Sequence, residues 1–211
     1  MSYFDWINIG TSNFGAFAHD LPGQRGISIE PVKTYLDGLP DWDTHIKMHC
    51  AATHNKSQDF IDLYWIPPNA ALSLPPHHKH WSGLNAVGGY HMQHIKHGVE
   101  KFVQIDKVPL KNIAEIFLEC DVTGVGRLKI DTEGYDCLIM TGVYEWLKDH
   151  PRLDRPMGNI RSPWAPTFIE FETNSLCSKE DVDEVIKKFD SIGYYVSRRD
   201  HDTFLKLRPN L

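Results

Sequence analysis

The stretch Leu128-Lys129-Ile130-Asp131-Thr132-Glu133-Gly134-Tyr135-Asp136 constrains this chain more than any other. An apolar strand ends on a carboxylate, a second carboxylate follows two residues later, and a glycine then lets the chain turn. Beyond it Leu138, Ile139, Val143, Trp146 and Leu147 recur at the spacing of one helix face. A strand that runs through a tight turn into a helix is half of a βαβ unit. In an open α/β sheet, ligands bind just outside the carboxyl ends of the strands. Asp131 and Glu133 are therefore expected to face a cleft rather than bulk solvent.

The same alternation runs through the chain. Strand-like runs cover 6–9, 26–29, 46–52, 59–66, 101–105, 126–131 and 167–171, and the runs 194–197 and 203–207 flank a turn that reads as a hairpin. The first strand is expected to begin near Phe4 or Asp5. That start suits a naturally minimal domain and a domain cut from a longer polypeptide equally well. Ser178 is a good N-cap with Asp181 three residues on, and it opens a helix carrying Val182, Val185, Ile186, Phe189 and Ile192 on one face; Gly193 suits its C-terminal end. Residues 31–39 and 110–118 are weaker helix candidates. Strands alternating with helices mean a mostly parallel sheet, and the terminal hairpin adds an antiparallel strand.

At 211 residues the chain suits a single domain, 1–211, with a sizeable core. Its net charge is −6. No basic run exceeds two residues, which argues against a nucleic-acid surface. Cys50, Cys120, Cys137 and Cys177 form no CxxC pair and read as buried free thiols. No apolar run approaches membrane-spanning length and no signal peptide is visible, so a cytoplasmic, soluble protein is expected. The segment 67–98 breaks the regular pattern. It is long for a loop and rich in Pro, His, Gly and Asn, as functional loops inside compact domains are.

Ile7-Asn8-Ile9-Gly10-Thr11-Ser12-Asn13-Phe14-Gly15 is a strand followed by a glycine-flanked turn. Ser12 stands where a dinucleotide fingerprint has its middle glycine, the residue that lets the backbone approach a pyrophosphate. A ribose-bearing cofactor without a pyrophosphate tolerates that change. Glu30 closes the second strand, 20 residues after Gly10, where an acidic side chain can accept hydrogen bonds from both ribose hydroxyls. Ribose without pyrophosphate points to S-adenosylmethionine.

Three blocks together resemble the FkbM family of S-adenosylmethionine-dependent methyltransferases: Asn8 to Gly15, Ile29-Glu30-Pro31, and Leu128 to Asp136 continuing through Leu138-Ile139-Met140-Thr141-Gly142. Phe168 to Glu172 resembles the family's following strand, and the likeness spans roughly Asp5 to Val196. It implies an α/β, Rossmann-like class I methyltransferase fold: a mostly parallel seven-stranded sheet with a C-terminal antiparallel hairpin. It also implies that Gly10, Ser12, Asn13 and Glu30 touch the cofactor and that Ala51 and Ala52 lie where the adenine is held. Asn8 replaces the family's usual Asp and the turn is one residue longer, so the methionine end is expected to be held differently. Asp136 replaces the commoner Glu. The 67–98 segment matches only loosely and is read as an acceptor-site insertion.

A hydroxyl acceptor needs a base, or a metal that lowers its pKa. Asp131 is placed for this, with Glu133 assisting and Glu172 approaching from the next strand. Either Asp131 or a nearby His is a base, or Asp131 and Glu172, with Glu133, hold a hard divalent cation such as Mg²⁺ or Mn²⁺. The competing structural reading has Glu133 capping the helix and Asp131 bonded to backbone amides. Six of the 12 histidines lie between His77 and His97. His91 and His94 are spaced to share a helix face, which also raises a weak Zn reading. His91 is the chosen base, and Trp81 or Tyr90 is suited to stack on a sugar ring.

The leading expectation is an O-methyltransferase acting on a sugar or glycan, for which fusion to or cooperation with a glycosyltransferase would be natural. A nucleotide, peptide or other small-molecule acceptor is the first alternative and a non-catalytic Rossmann-like binding module the second. An NAD-dependent oxidoreductase is disfavoured by Ser12 and the Asp131–Gly134 block.

Overall fold

The structure, a computed structural model, describes residues 2–12, 17–74, 85–150, 165–174 and 176–208. Asn13, His77, His78, His80 and Trp81 lie outside them. In chain order the elements are β1 (Ser2–Ile9), α1 (Phe17–Asp20), β2 (Gly26–Ile29), α2 (Lys33–Asp37), β3 (His45–Met48), β4 (Ala51–Thr53), β5 (Phe60–Trp65), α3 (Pro68–Ala71), β6 (Ala86–Val87), α4 (Met92–Lys96), β7 (Gln104–Asn112), α5 (Ile113–Glu119), β8 (Val122–Ile130), α6 (Asp136–Asp149), β9 (Phe168–Glu172), α7 (Lys179–Ser191), β10 (Tyr194–Arg199) and β11 (Asp202–Leu207).

The main sheet is mixed and seven-stranded, in the order β10-β11-β9-β8-β1-β2-β3. From β9 to β3 every pairing is parallel, whereas β11 runs antiparallel to both β9 and β10. The chain leaves β1 towards β2 and β3, then returns to place β8 on the other side of β1. The order of strands therefore reverses between β1 and β8, the topological switch point where a crevice opens in such sheets.

Helices α5, α6 and α7 lay apolar faces on the sheet. Ile116, Phe117, Ile139, Met140, Val143 and Phe189 join Ile7, Ile9, Leu128, Ile130, Ile169 and Phe171 in one buried cluster. Removing each such side chain from water stabilises by about 1.5–3 kcal/mol. That packing buries Ile139, Val143, Trp146 and Leu147 of α6 and Val182, Val185 and Phe189 of α7 as the periodicity predicts, whereas Leu138 stays exposed. The Ser178 cap forms as expected, its side chain accepting from the Asp181 amide, and Gly193 takes a positive φ of 98° just past the end of α7.

Several elements differ from the sequence expectation. The run 46–52 is two strands: β3 ends at Met48, the chain turns, and β4 enters a second sheet of order β4-β7-β5-β6. A single apolar run carries no mark of which neighbour each half will pair with. The strand expected at 101–105 begins at Gln104 and continues to Asn112, taking the first residues of the expected 110–118 helix. The helix waits for Asn112, whose side chain and that of Glu115 make a reciprocal capping box. The first strand starts at Ser2 rather than near Phe4, since β8 is long enough to pair with it from Val122 onward. Among the described residues no helix is long and apolar enough to cross a membrane.

Candidate active site

The carboxyl ends of β1 and β8 touch. The Asp131 amide donates to the Ile9 carbonyl at 2.9 Å, and the Gly10 amide donates to Ile29 of β2 at 2.9 Å. Gly10 has φ 78°, and a Cβ there would lie 2.7 Å from the Asp131 carbonyl carbon. Glycine is required for both reasons: the left-handed backbone and the close approach of the neighbouring strand end. Ser12 also has a positive φ, 51°, so the turn curls back over the sheet edge.

That turn is held by Glu30, only 2% exposed. Its Oε2 accepts from the Ser12 amide at 2.7 Å and from the Thr11 hydroxyl at 3.3 Å, while Oε1 accepts from the Val32 amide at 2.9 Å. Burial pushes the Glu30 pKa up, and these hydrogen bonds pull against it. Both oxygens are thus anchored to backbone, and the side chain lines the cleft. Thr11 is buried beside it, a bracing role that the spacing of Gly10, Ser12 and Asn13 does not announce.

A cleft of about 280 Å³ opens over this edge. One part is lined by Gly10, Ser12, Glu30, Pro31 and the Cys50-Ala51-Ala52 run, and the other by Asp131, Glu133, Tyr135 and Glu172. Burial raises the Cys50 pKa to about 12, so the thiol lines the wall as a small neutral group. A further wall comes from Leu63 of β5 and from Ala86 and Val87 of β6. These residues were not singled out from the sequence, because only the pairing of the second sheet brings them to the carboxyl edge of the first.

Asp131, Glu133 and Glu172 each present a carboxylate oxygen within 4.8 Å of the others. Asp131 is pushed up by burial and held back by Lys129, whose Nζ is 3.5 Å from Oδ2. Glu172 is pushed up to about 8, first by burial and then by the charges of Glu133, Asp131 and Asp136. Its Oε2 is buried with no hydrogen-bond partner among the described residues. Three hard oxygens with one orphaned atom are a donor set that suits a divalent cation.

Glu133 does not cap α6, contrary to the competing structural reading. The residue at the cap position is Tyr135, which makes no side-chain cap bond, and Glu133, at φ 53°, turns its carboxylate to His91. The loop amides are served instead by Asp136, fully buried on the first turn of α6. Its Oδ2 accepts from the Thr132 hydroxyl at 2.9 Å and from the Thr132 and Gly134 amides at 3.3 and 3.4 Å, and its Oδ1 accepts from the Glu172 amide at 3.3 Å. A local side-chain bond of this kind frees Glu133 from the helix end. Burial raises Asp136 to about 6.

His91 and His94 do come side by side, although only His94 lies within the helix. His91 is the N-cap of α4, its Nδ1 accepting from the Gln93 amide at 3.1 Å, while His94 lies within the helix; the two rings are 5.5 Å apart. Neither belongs to a metal-competent cluster among the described residues. Tyr90, offered from the sequence for sugar stacking, packs against Tyr64 with ring centroids 4.8 Å apart and does not line the cleft. Asn8 is buried on β1 and likewise does not line it.

Compared with known protein families, residues 7–196 match the model of the methyltransferase FkbM domain. No curated protein and no solved structure matches the chain.

Proposed function

Because the chain belongs to the FkbM methyltransferase domain family, we propose that it transfers a methyl group from S-adenosylmethionine to a hydroxyl of a neutral sugar or glycan. The observation that carries this reading is the meeting, in one cleft at the β1/β8 switch point, of the Gly10–Ser12 turn, braced by buried Glu30, with the Asp131–Glu133–Glu172 carboxylates. The order β3-β2-β1-β8-β9-β11-β10 with only β11 reversed supports the Rossmann-like class I methyltransferase fold.

On this reading Glu30 and Ser12 hold the ribose, and Cys50, Ala51, Ala52 and Leu63 form the apolar slot for the adenine. Asn13, assigned to the cofactor by the family likeness, lies outside the described residues. Bound there, the sulfonium supplies an electrophilic methyl group. The protein's task is then to align the acceptor hydroxyl and take its proton, while the carbon–sulfur bond of the cofactor would give way to the new oxygen–carbon bond and leave the neutral thioether S-adenosylhomocysteine. Asp131, ending β8 at the junction of the two halves of the cleft, is the group for that proton.

The charge of the described lining supports this acceptor class. Glu30, Asp131, Glu133 and Glu172 line the cleft, and no Lys, Arg or His lines it among the described residues. Lys129, beside Asp131, is engaged by Asp131 and Glu170. Such a field attracts a sulfonium and an ammonium and repels phosphate. That favours a neutral polyol over a nucleotide or phosphorylated acceptor.

A second reading has a specific observation behind it. The orphaned Glu172 oxygen among three converging carboxylates favours Asp131, Glu133 and Glu172 as ligands of Mg²⁺ or Mn²⁺, which would lower the pKa of a bound hydroxyl. Transfer of labelled methyl from S-adenosylmethionine across a panel of neutral, amino and phosphorylated sugars tests the proposal. Calorimetry should show binding of S-adenosylhomocysteine and none of NAD; binding of NAD alone would sink it.

A further inference from the structure

We infer that His91 is a positioning residue for Glu133 and not a proton acceptor. Its two ring nitrogens have distinct partners. His91 Nδ1 lies 3.1 Å from the Gln93 backbone nitrogen. A backbone N–H can only donate, so Nδ1 must offer its lone pair and carries no proton. The neutral ring then has its one proton on Nε2, which lies 3.3 Å from Glu133 Oε2. The bond runs from Nε2–H to the carboxylate.

This tautomer leaves nothing for base chemistry. The only lone pair of the ring is taken by the first turn of α4 and faces away from the cleft. The ring is 5% exposed, sits against His94 and does not line the cleft. Glu133, by contrast, does line it.

Glu133 has need of such a partner. It holds a left-handed backbone, φ 53°, a conformation that strains an L-residue. Asp136 fixes the amides on either side of it but makes no bond to its carboxylate. The hydrogen bond from His91 fixes the direction of that carboxylate towards Asp131 and Glu172. It also ties the start of α4 to the turn after β8. The catalytic consequence rests on the methyltransferase reading above; the tautomer and the bond do not.

Two readouts test this. In the complex with S-adenosylhomocysteine, nitrogen-resolved NMR of the His91 ring, assigned by its loss in His91→Asn, should show the proton on Nε2 and a lone pair on Nδ1. The Nε2 proton should be shielded from exchange and lose that shielding in Glu133→Gln. His91→Asn is the second arm. Asn places Oδ1 where Nδ1 sits and is itself a strong N-cap, but it does not reach Glu133. Its thermal midpoint and S-adenosylhomocysteine affinity should match the wild type, while turnover falls about 10-fold, as on loss of an orienting partner. A proton on Nδ1, an Nε2 proton indifferent to Glu133→Gln, or wild-type turnover in His91→Asn would each overturn the proposal. If the wild type methylated no acceptor, the methyltransferase reading alone would fall, and the NMR result would still decide the bond.

Discussion

Gly10 and Asp131 end adjacent parallel strands, and the Cα of Gly10 sits so close to the Asp131 peptide that a Cβ would lie 2.7 Å from its carbonyl carbon. The contact joins the two halves of the cleft, one built on the turn after β1 and the other on the turn after β8. Gly10→Ala should therefore cost more than its φ of 78° alone explains. Gly23 provides the control, with φ 77° and nothing within 4 Å of its Cβ position. Urea denaturation should show a loss of about 1–2 kcal/mol for Gly23→Ala, and a further ~1–3 kcal/mol from overpacking for Gly10→Ala. Equal losses would show that the strand ends part easily.

Glu30→Gln retains the shape of the side chain but replaces an acceptor by a donor opposite the Ser12 or Val32 amide. Hydrogen bonds to a charged group contribute about 1.5–3 kcal/mol. Affinity for S-adenosylhomocysteine, measured by calorimetry, should fall at least ~10-fold. Unchanged affinity would remove Glu30 from the cofactor site.

Asp131→Ala separates binding from chemistry. Methyl transfer should fall by at least ~100-fold, the usual contribution of a positioned base, while S-adenosylhomocysteine affinity stays within about threefold of the wild type. Wild-type turnover in this variant would end the assignment of Asp131.

Stability should fall as pH rises, and the sign follows from two raised carboxyl groups. Asp136 moves from 3.8 to about 6 and Glu172 from 4.5 to about 8 on folding. The folded state holds both protons more tightly. The stability this contributes is complete below the unfolded pKa values and is lost as pH climbs through about 6 and then about 8. Glu172→Gln removes the upper step. Its thermal midpoint should exceed that of the ligand-free wild type by ~2–4 °C near pH 9 and approach it near pH 5. A constant difference across that window would show that Glu172 does not titrate there.

The metal reading predicts that EDTA abolishes turnover and that Mg²⁺ or Mn²⁺ restores it. It also predicts that either cation raises the midpoint of the wild type and not of Glu172→Gln, by mass action on the folded state. Full activity in EDTA would leave Asp131 as a base acting without a metal.

Much of the site could be read along the chain because its parts are local. The strand–turn–helix of 128–147, the Gly10–Ser12 turn and the position of Glu30 at a strand end are each written within one short stretch of chain. Periodicity and turn chemistry act over that range. The wall formed by Leu63, Ala86 and Val87 was not legible, because it depends on which strands pair. Nor was the exchange of roles between Glu133 and Asp136. Either carboxylate can serve the loop amides in sequence terms, and only the packing of α6 under the loop buries Asp136 where four donors converge.

By itself, then, the sequence determined an α/β architecture, the family, and a carboxylate-tipped strand beside a glycine turn. Tertiary structure decided what those carboxylates face. It brought Glu172 from β9 and His91 from the insertion to Asp131 and Glu133, across separations of about 40 residues. The physical reason is that the hydrophobic pattern specifies which face of each element is buried. The neighbours of a polar side chain at a strand end are set by strand order and register, which no local pattern encodes.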